Sequence, residues 1–186
     1  MKNIILQHWT GELGPLELAS KANMEKYAKQ CGAEYELILG NQFHPKLHGC
    51  YQKLIMLDKR FDKYQDTLMV DLDMFVVKNV KDNVFNVPGV GLNSKVQKDI
   101  FKAMCKGKKY RSVVDKNGPF WGGAFWKFTN EQRKKLRQFI VDTELKIFNK
   151  NFNDEGAIHR LASRAGLKQI DVPEEWCWGN CFPEYE

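Results

Sequence analysis

The stretch "TLMVDLDMFVV", residues 67–77, sets two aspartates inside one of the most apolar runs of a 186-residue chain. Ionised carboxylates are expensive to bury unless a partner compensates them, so Asp71 and Asp73 call for an explanation. Leu68, Met69 and Val70 are apolar without alternation, the pattern of a strand covered on both faces in a parallel sheet. We therefore read residues 67–77 as a strand. Side chains two apart on a strand share a face, with Cα atoms roughly 6.5–7 Å apart, so Asp71 and Asp73 converge while Leu72 faces the other way. The strand is buried just before them, which puts the pair near its carboxyl end, the edge where open α/β sheets bind ligands. Two carboxylates at one spot repel unless one is protonated or a cation lies between them. A hard divalent ion fits, since it prefers oxygen ligands and shares its shell with phosphate oxygens. The plainer reading is a pair of surface aspartates matched to nearby lysines.

Upstream, residues 3–6 form a short apolar run consistent with a first strand. "GPLELASKANMEKYAKQCG" (14–32) reads as a helix with Pro15 at its first position and Gly32 as its stop. "AEYELIL" (33–39) follows as a second strand, and residues 50–63 read as helical. Strands separated by helices imply parallel pairing. Downstream, "GVGL" (89–92) and "GGAFWKF" (122–128) are strand-like. Thr129 and Gln132 have capping-box spacing for a helix whose Leu136, Phe139, Ile140, Thr143 and Ile147 form one inward stripe. A last helix begins near Asn153 and stops at Gly166. Without repeats or linker-like stretches, residues 1–186 read as one α/β domain, whole or a piece of a longer chain, with a mostly parallel central sheet flanked by helices.

Composition narrows the classes. The hydrophobic share of 43% and aromatic share of 12% are globular values. No stretch approaches the roughly 20 apolar residues of a membrane helix, and "MKNIILQHWTGE" is too short in its apolar part for a signal peptide, so a cytoplasmic protein is expected. The five cysteines are scattered, which fits a reducing compartment. "CWGNC" (177–181) lacks a second ligand pair, and structural zinc is not expected there. The net charge of +6 favours anionic partners without choosing among them. "KGKKYR" (106–111) and "RKKLR" (133–137) read as solvated faces.

A strand ending in DxD, preceded by a lysine-bearing helix ("YQKLIMLDKRFDKYQDTLMVDLDMFVV", 51–77), resembles the GT-A fold glycosyltransferases. Other landmarks follow in order: "HWTG" (8–11), the glycine pair of "FWGGAFWKF" (120–128) and "NDEGAIHRL" (153–161). The similarity runs from the first strand to about residue 172. Its pattern is nearest to retaining families 8 and 34 and to small transferases of large algal viruses. The resemblance implies a single GT-A-like, Rossmann-type domain that moves a hexose from a nucleoside diphosphate sugar, with UDP as the expected nucleotide, to a hydroxyl of a glycan or other acceptor. Slow hydrolysis of the donor would accompany it. It implies that Asp71 and Asp73 hold Mn²⁺ or Mg²⁺ against the diphosphate, Asp73 as the firmer ligand and Asp71 shared with the ribose.

By the same resemblance the segment around Leu72 belongs to the donor site. His8, Trp9 and Thr10 would hold base and ribose, with Trp9 either stacked on the base or simply packed. Lys53 would face a phosphate or the nucleotide, unless it is a solvated helix lysine. Gly122 and Gly123 would line the donor sugar, unless they mark a plain bulge. If Asn153 caps the last helix, Asp154 joins the stripe of Ile158, Leu161 and Ala165 and points inward, and Glu155 lies on a neighbouring face with His159. Asp154, with Glu155, is the candidate for binding sugar hydroxyls or acting as general base. The negative end of these side chains also suits a helix N-terminus, which explains Glu155 well and Asp154 less well. One departure stands out: many relatives draw a third metal ligand from a histidine near the C-terminus, and here none follows His159.

Two other classes compete. Haloacid-dehalogenase-type phosphatases also carry a strand followed by DxD, but they place Thr or Val where this chain has Phe75. A basic nucleic-acid-binding domain would account for the charge and the aromatics, but no recognition motif is present. No nucleic-acid partner is expected.

Overall fold

The computed structural model describes residues 2–77, 80–173 and 176; "CWGNC" lies outside them. A four-stranded sheet in the order β2-β1-β3-β4 forms its centre. Strands β1 (Ile4–Trp9), β2 (Glu34–Leu39) and β3 (Asp66–Asp71) run parallel, and β4 (Phe125–Thr129) pairs antiparallel with β3. This is the mixed α/β architecture, with a mostly parallel sheet flanked by helices, that the sequence implies. No helix among the described residues is long and apolar enough to cross a membrane.

The strands bury both faces, and each face has its own cover. On one face Ile4, Leu6, Met69, Trp126 and Phe128 pack under the 3-10 segment Gly49–Leu57 and helix α5 (Asn153–Arg164). On the other, Ile5, Leu68, Val70 and Phe125 pack against Met24 and Tyr27 of helix α1 (Pro15–Gln30). Helix α1 starts at Pro15, with Glu17 Oε2 accepting the Gly14 N–H at 2.9 Å. It ends as expected, the chain turning out through Gly32 at φ +65°, where glycine avoids the Cβ clash of the left-handed region. Helix α2 (Lys95–Lys106) packs outside this sheet, with Met104 buried.

Six sequence expectations need correction. The first strand continues beyond residue 6 to Trp9, and the segment at 50–63 is not an α-helix but two 3-10 stretches, Gly49–Leu57 and Lys59–Phe61. All of Tyr51–Leu57 is buried, so packing on every side sets its winding rather than an amphipathic period. The carboxylate of Asp58 then accepts the Arg60 N–H at 2.8 Å and restarts the turn.

The third strand ends at Asp71, not at residue 77. The Met74 N–H bonds back to the Asp71 carbonyl at 3.2 Å, closing a turn, and the chain beyond is drawn onto α1. There Asn23 exchanges two hydrogen bonds with the Val76 backbone (2.7 and 3.0 Å), while Ser20 and Tyr27 hold the carbonyls of Met74 and Asp82.

The helix proposed after Thr129 is broken into α3 (Asn130–Arg137) and α4 (Asp142–Lys146), with Val141 extended between them. Its capping box does form: the Gln132 N–H reaches Thr129 Oγ1 at 3.2 Å and the Thr129 N–H reaches Gln132 Oε1 at 2.9 Å. The run "RKKLR" is not simply solvated, because Arg133 is fully buried and donates to the carbonyls of Phe128, Phe61 and Tyr64.

Finally, "GVGL" supplies only bridges through Gly91, to Trp126 and Asp171. A Cβ at Gly89, where φ is +103°, would lie 2.5 Å from the Asp171 backbone, so this close approach needs glycine.

Candidate functional site

The parallel register aligns the landmarks. Ile4, Leu6 and His8 of β1 pair with Thr67, Met69 and Asp71 of β3, so the apolar face continues, at the carboxyl edge, into a histidine beside an aspartate. A cleft of about 270 Å³ opens there. Its walls are His8, Trp9 and Thr10 at the end of β1, and Asp71, Leu72 and Asp73 at the end of β3. Lys53 and the start of its 3-10 segment complete the lining. Thus seven sequence-nominated residues, Lys53 among them, meet in one place. Because His8 and Trp9 belong to β1 itself, the nucleotide-binding candidates are the strand end and not a loop after it.

Asp71 and Asp73 do not share a strand face. Asp71 is the last strand residue, with 32% of its side chain exposed; Asp73 lies in the following turn and is exposed. Three polar side chains fix that turn from below. Buried Gln7 donates to the Asp71 carbonyl and to Ser20 Oγ, both at 3.1 Å, and accepts from the Tyr35 hydroxyl at 2.9 Å. Ser20 Oγ donates to the Met74 carbonyl at 2.6 Å. A buried polar network of this kind, fully bonded, specifies one geometry.

Behind the cleft lies a charged cluster. Lys53 is only 7% exposed, and its Nζ donates to Asp71 Oδ1 and to the Gly123 carbonyl, each at 2.7 Å. Asp154 Oδ2 lies 2.7 Å from the same nitrogen, but out of line for a hydrogen bond, so this buried oxygen has no hydrogen-bond donor among the described residues. Lys53 is therefore neither a solvated helix lysine nor aimed at open solvent; it bridges β3 to α5. Burial alone would lower its pKa, but the Asp154 and Asp71 carboxylates prevail and hold it above the ordinary lysine range. Burial pushes the Asp71 carboxyl up, against the pull of Lys53. One ammonium thus serves two carboxyl groups.

Asp154 points inward, as its stripe predicts, although Asn153 does not cap the helix. Phe152, at φ 62°, takes the cap position, and Asn153 Oδ1 instead accepts the Lys150 N–H at 3.0 Å. Glu155 Oε1 accepts the Gly123 N–H at 3.1 Å. Its carboxyl is pushed up to about 7, by burial first and then by the Asp154 charge. Asp154 and Glu155 stand behind Lys53, off the cleft lining. Gly122 and Gly123 precede β4 and do not interrupt it. A Cβ at Gly123 would come within 2.5 Å of Asp154 Oδ2, and one at Gly122 within 2.9 Å of Gln97 Nε2. The pair leaves room for the cluster while its backbone binds Lys53 and Glu155.

His8 and His159 are structural in their contacts. His8 Nε2 donates to the Gly40 carbonyl at 2.8 Å, and burial lowers its pKa, so the ring is neutral. His159 is fully buried, with Nδ1 on the Pro119 carbonyl at 2.8 Å and Nε2 accepting the Asp115 N–H at 3.2 Å. The Trp9 indole N–H is tied to the Glu12 carbonyl at 2.9 Å, with the ring at the cleft wall.

The sequence does not single out Gln7, Ser20, His48 or Cys50 as site residues. Gln7 carried a legible signal, a polar side chain inside the run "IILQHW", since a buried polar group is the informative kind. His48 and Cys50, which line the cleft, had none.

Among the described residues no three His, Cys, Asp or Glu side chains gather closely enough to hold a metal alone. The donor set is two carboxylates, Asp71 with one oxygen committed to Lys53 and Asp73 in no ion pair among the described residues. Such a set suits a hard cation that draws its remaining ligands from a bound phosphate and water, as magnesium sites commonly do.

No protein-family model matches the chain, and no curated protein does. Among solved structures it is similar to a glycosyltransferase involved in the glycosylation of the major capsid of PBCV-1. The identity is 11% and the TM-score 0.40, over 60% of this chain and 69% of that one. A likeness at that depth carries no information on chemistry.

Proposed function

We propose that the cleft at the carboxyl ends of β1 and β3 binds a nucleoside diphosphate sugar, with UDP as the nucleotide, together with Mn²⁺ or Mg²⁺, and that the protein transfers the hexose to an acceptor hydroxyl. The observation that carries this reading is the register that sets His8 beside Asp71, bringing the end of β1 and the Asp71–Leu72–Asp73 turn around one cleft at the ligand-binding edge of the sheet. The excess of carboxyl groups, Asp71, Asp73 and Asp154, over the single Lys53 ammonium supports it, because a cation there relieves repulsion between them.

In this reading Asp71 and Asp73 hold the ion, which when bound offsets charge on the departing diphosphate. Trp9 and Thr10 form the wall for base and ribose. Lys53 holds Asp71 and Asp154 in place. The bond from the anomeric carbon to the diphosphate oxygen breaks with its electron pair on the diphosphate, and the acceptor oxygen bonds to carbon as it loses its proton. Asp154 and Glu155 are the groups able to orient hydroxyls or receive that proton; a carboxyl near 7, as at Glu155, is matched to proton transfer at neutral pH. Water in place of the acceptor would give slow donor hydrolysis.

The test is release of UDP from a panel of UDP-sugars, with and without Mn²⁺. One donor should be consumed, only with metal, and not by Asp73→Ala. Silence from every donor with metal present would contradict the reading.

A further inference from the structure

The positive charge of this chain is not spread over it. Residues 95–116 hold eight of the 29 basic side chains and two of the 23 acidic ones, so the remaining chain is balanced at 21 of each. The whole net charge of +6 therefore sits on α2 and the turn after it. Within α2, Lys95, Lys98, Lys102 and Lys106 are all exposed, and at 100° per residue they fall within about 80° of arc along about 16 Å of helix. Lys108, Lys109, Arg111 and Lys116 extend the same exposed surface.

The opposite side of the helix is already committed. Met104 is fully buried, Ile100 and Phe101 pack on the core, and the Phe101 ring stacks on Phe120 with centroids 5.1 Å apart. The helix cannot roll to insert an apolar face, so its lysines are held outward as a fixed array. Among the described residues one of the four is in an ion pair, Lys102 with Asp99 at 3.1 Å. Like charges on one helix face repel, so the array costs stability that the Lys102–Asp99 pair offsets only in part.

From this array we infer that α2 is a docking surface for an anionic lipid bilayer. The chemistry favours lipid over nucleic acid. Seven of the eight basic residues are lysines, compact point charges suited to diffuse attraction; bidentate phosphate recognition uses arginine forks. Binding of single strands uses exposed aromatic rings, whereas Tyr110, the aromatic next to this patch, is buried. A cluster of four to eight lysines on one helix face gains roughly fivefold in partition per lysine near an anionic surface. The docked edge adjoins the candidate site, because Gln97 of α2 is the side chain against Gly122. The inference stands on charge and exposure and does not need the transferase reading.

The test is cosedimentation with phosphatidylcholine vesicles, with and without phosphatidylserine, at low and high salt. The variant is Lys95→Ser/Lys98→Ser/Lys102→Ser/Lys106→Ser, its fold checked by circular dichroism. The expected result is binding only with phosphatidylserine, weakening steeply with salt, and reduced about a hundredfold or more in the variant. Equal binding to neutral vesicles, no binding at low salt, or unchanged binding by the folded variant would overturn it. So would displacement from the vesicles by a short oligonucleotide at equal charge, which would assign the surface to nucleic acid.

Discussion

The back wall of the cleft and its outer lip are built on opposite plans. At the back, buried Lys53 and Asp154 are locked to half-buried Asp71 and the Gly123 backbone by contacts of 2.7 Å. At the lip, Thr10 and Asp73 are exposed and Asp73 has no ion-pair partner among the described residues. Buried charges must be compensated inside the protein, so the wall is finished before any ligand arrives. Exposed charges are hydrated at little cost and can wait for a partner. The wall therefore governs stability and the lip governs binding, and variants on each side should separate the two.

The largest effect is expected at Lys53. In Lys53→Met the buried Asp154 and the half-buried Asp71 lose their counter-charge, and urea unfolding at neutral pH should show a loss of about 3–5 kcal/mol. Next comes Gly123→Ala, whose methyl would lie 2.5 Å from Asp154 Oδ2. Displacing that carboxylate from Lys53 should cost about 1–3 kcal/mol in the same experiment.

A smaller effect is a change of slope with pH. The Glu155 carboxyl is raised from 4.5 to about 7 in the folded protein, so the folded state holds its proton where the unfolded chain has lost it. Stability should then fall as pH rises between about 4.5 and 7 and level off above. Subtracting the unfolding profile of Glu155→Gln from that of the native chain should expose this fall; a flat difference would mean Glu155 ionises normally. Smallest in stability is Asp73→Ala, expected within about 0.5 kcal/mol of the native chain, although donor turnover disappears. A large loss of stability there would erase the distinction between wall and lip.

What the sequence made legible follows the same division. Apolar runs and helix punctuation located β1, α1, β2 and β3, because Pro15, Gly32 and the continuous run Leu68–Val70 act locally. The position of the site at the strand ends was also legible, since burial up to Val70 forces the aspartates to the edge. The end of β3 was not. Residues 72–77 keep an apolar pattern, but Gln7, Ser20 and Asn23, distant in sequence, pull their backbone away from the sheet. Lys53 was legible as a nearby cation but not as a bridge, because its partners Asp71 and Asp154 come together only through the packing of α5 over β3. The same holds for Arg133, whose burial depends on the carbonyls of Phe61 and Tyr64.

The central claim, that Asp71 and Asp73 share a divalent ion with a nucleotide's phosphates, is tested most directly by the electron paramagnetic resonance signal of free Mn²⁺. Titrating the protein into Mn²⁺ and UDP should diminish that signal beyond a protein-free control, and Asp73→Ala, folded and stable, should leave it at the control level. If the native chain leaves the signal unchanged, or if Asp73→Ala quenches it equally, the account is wrong.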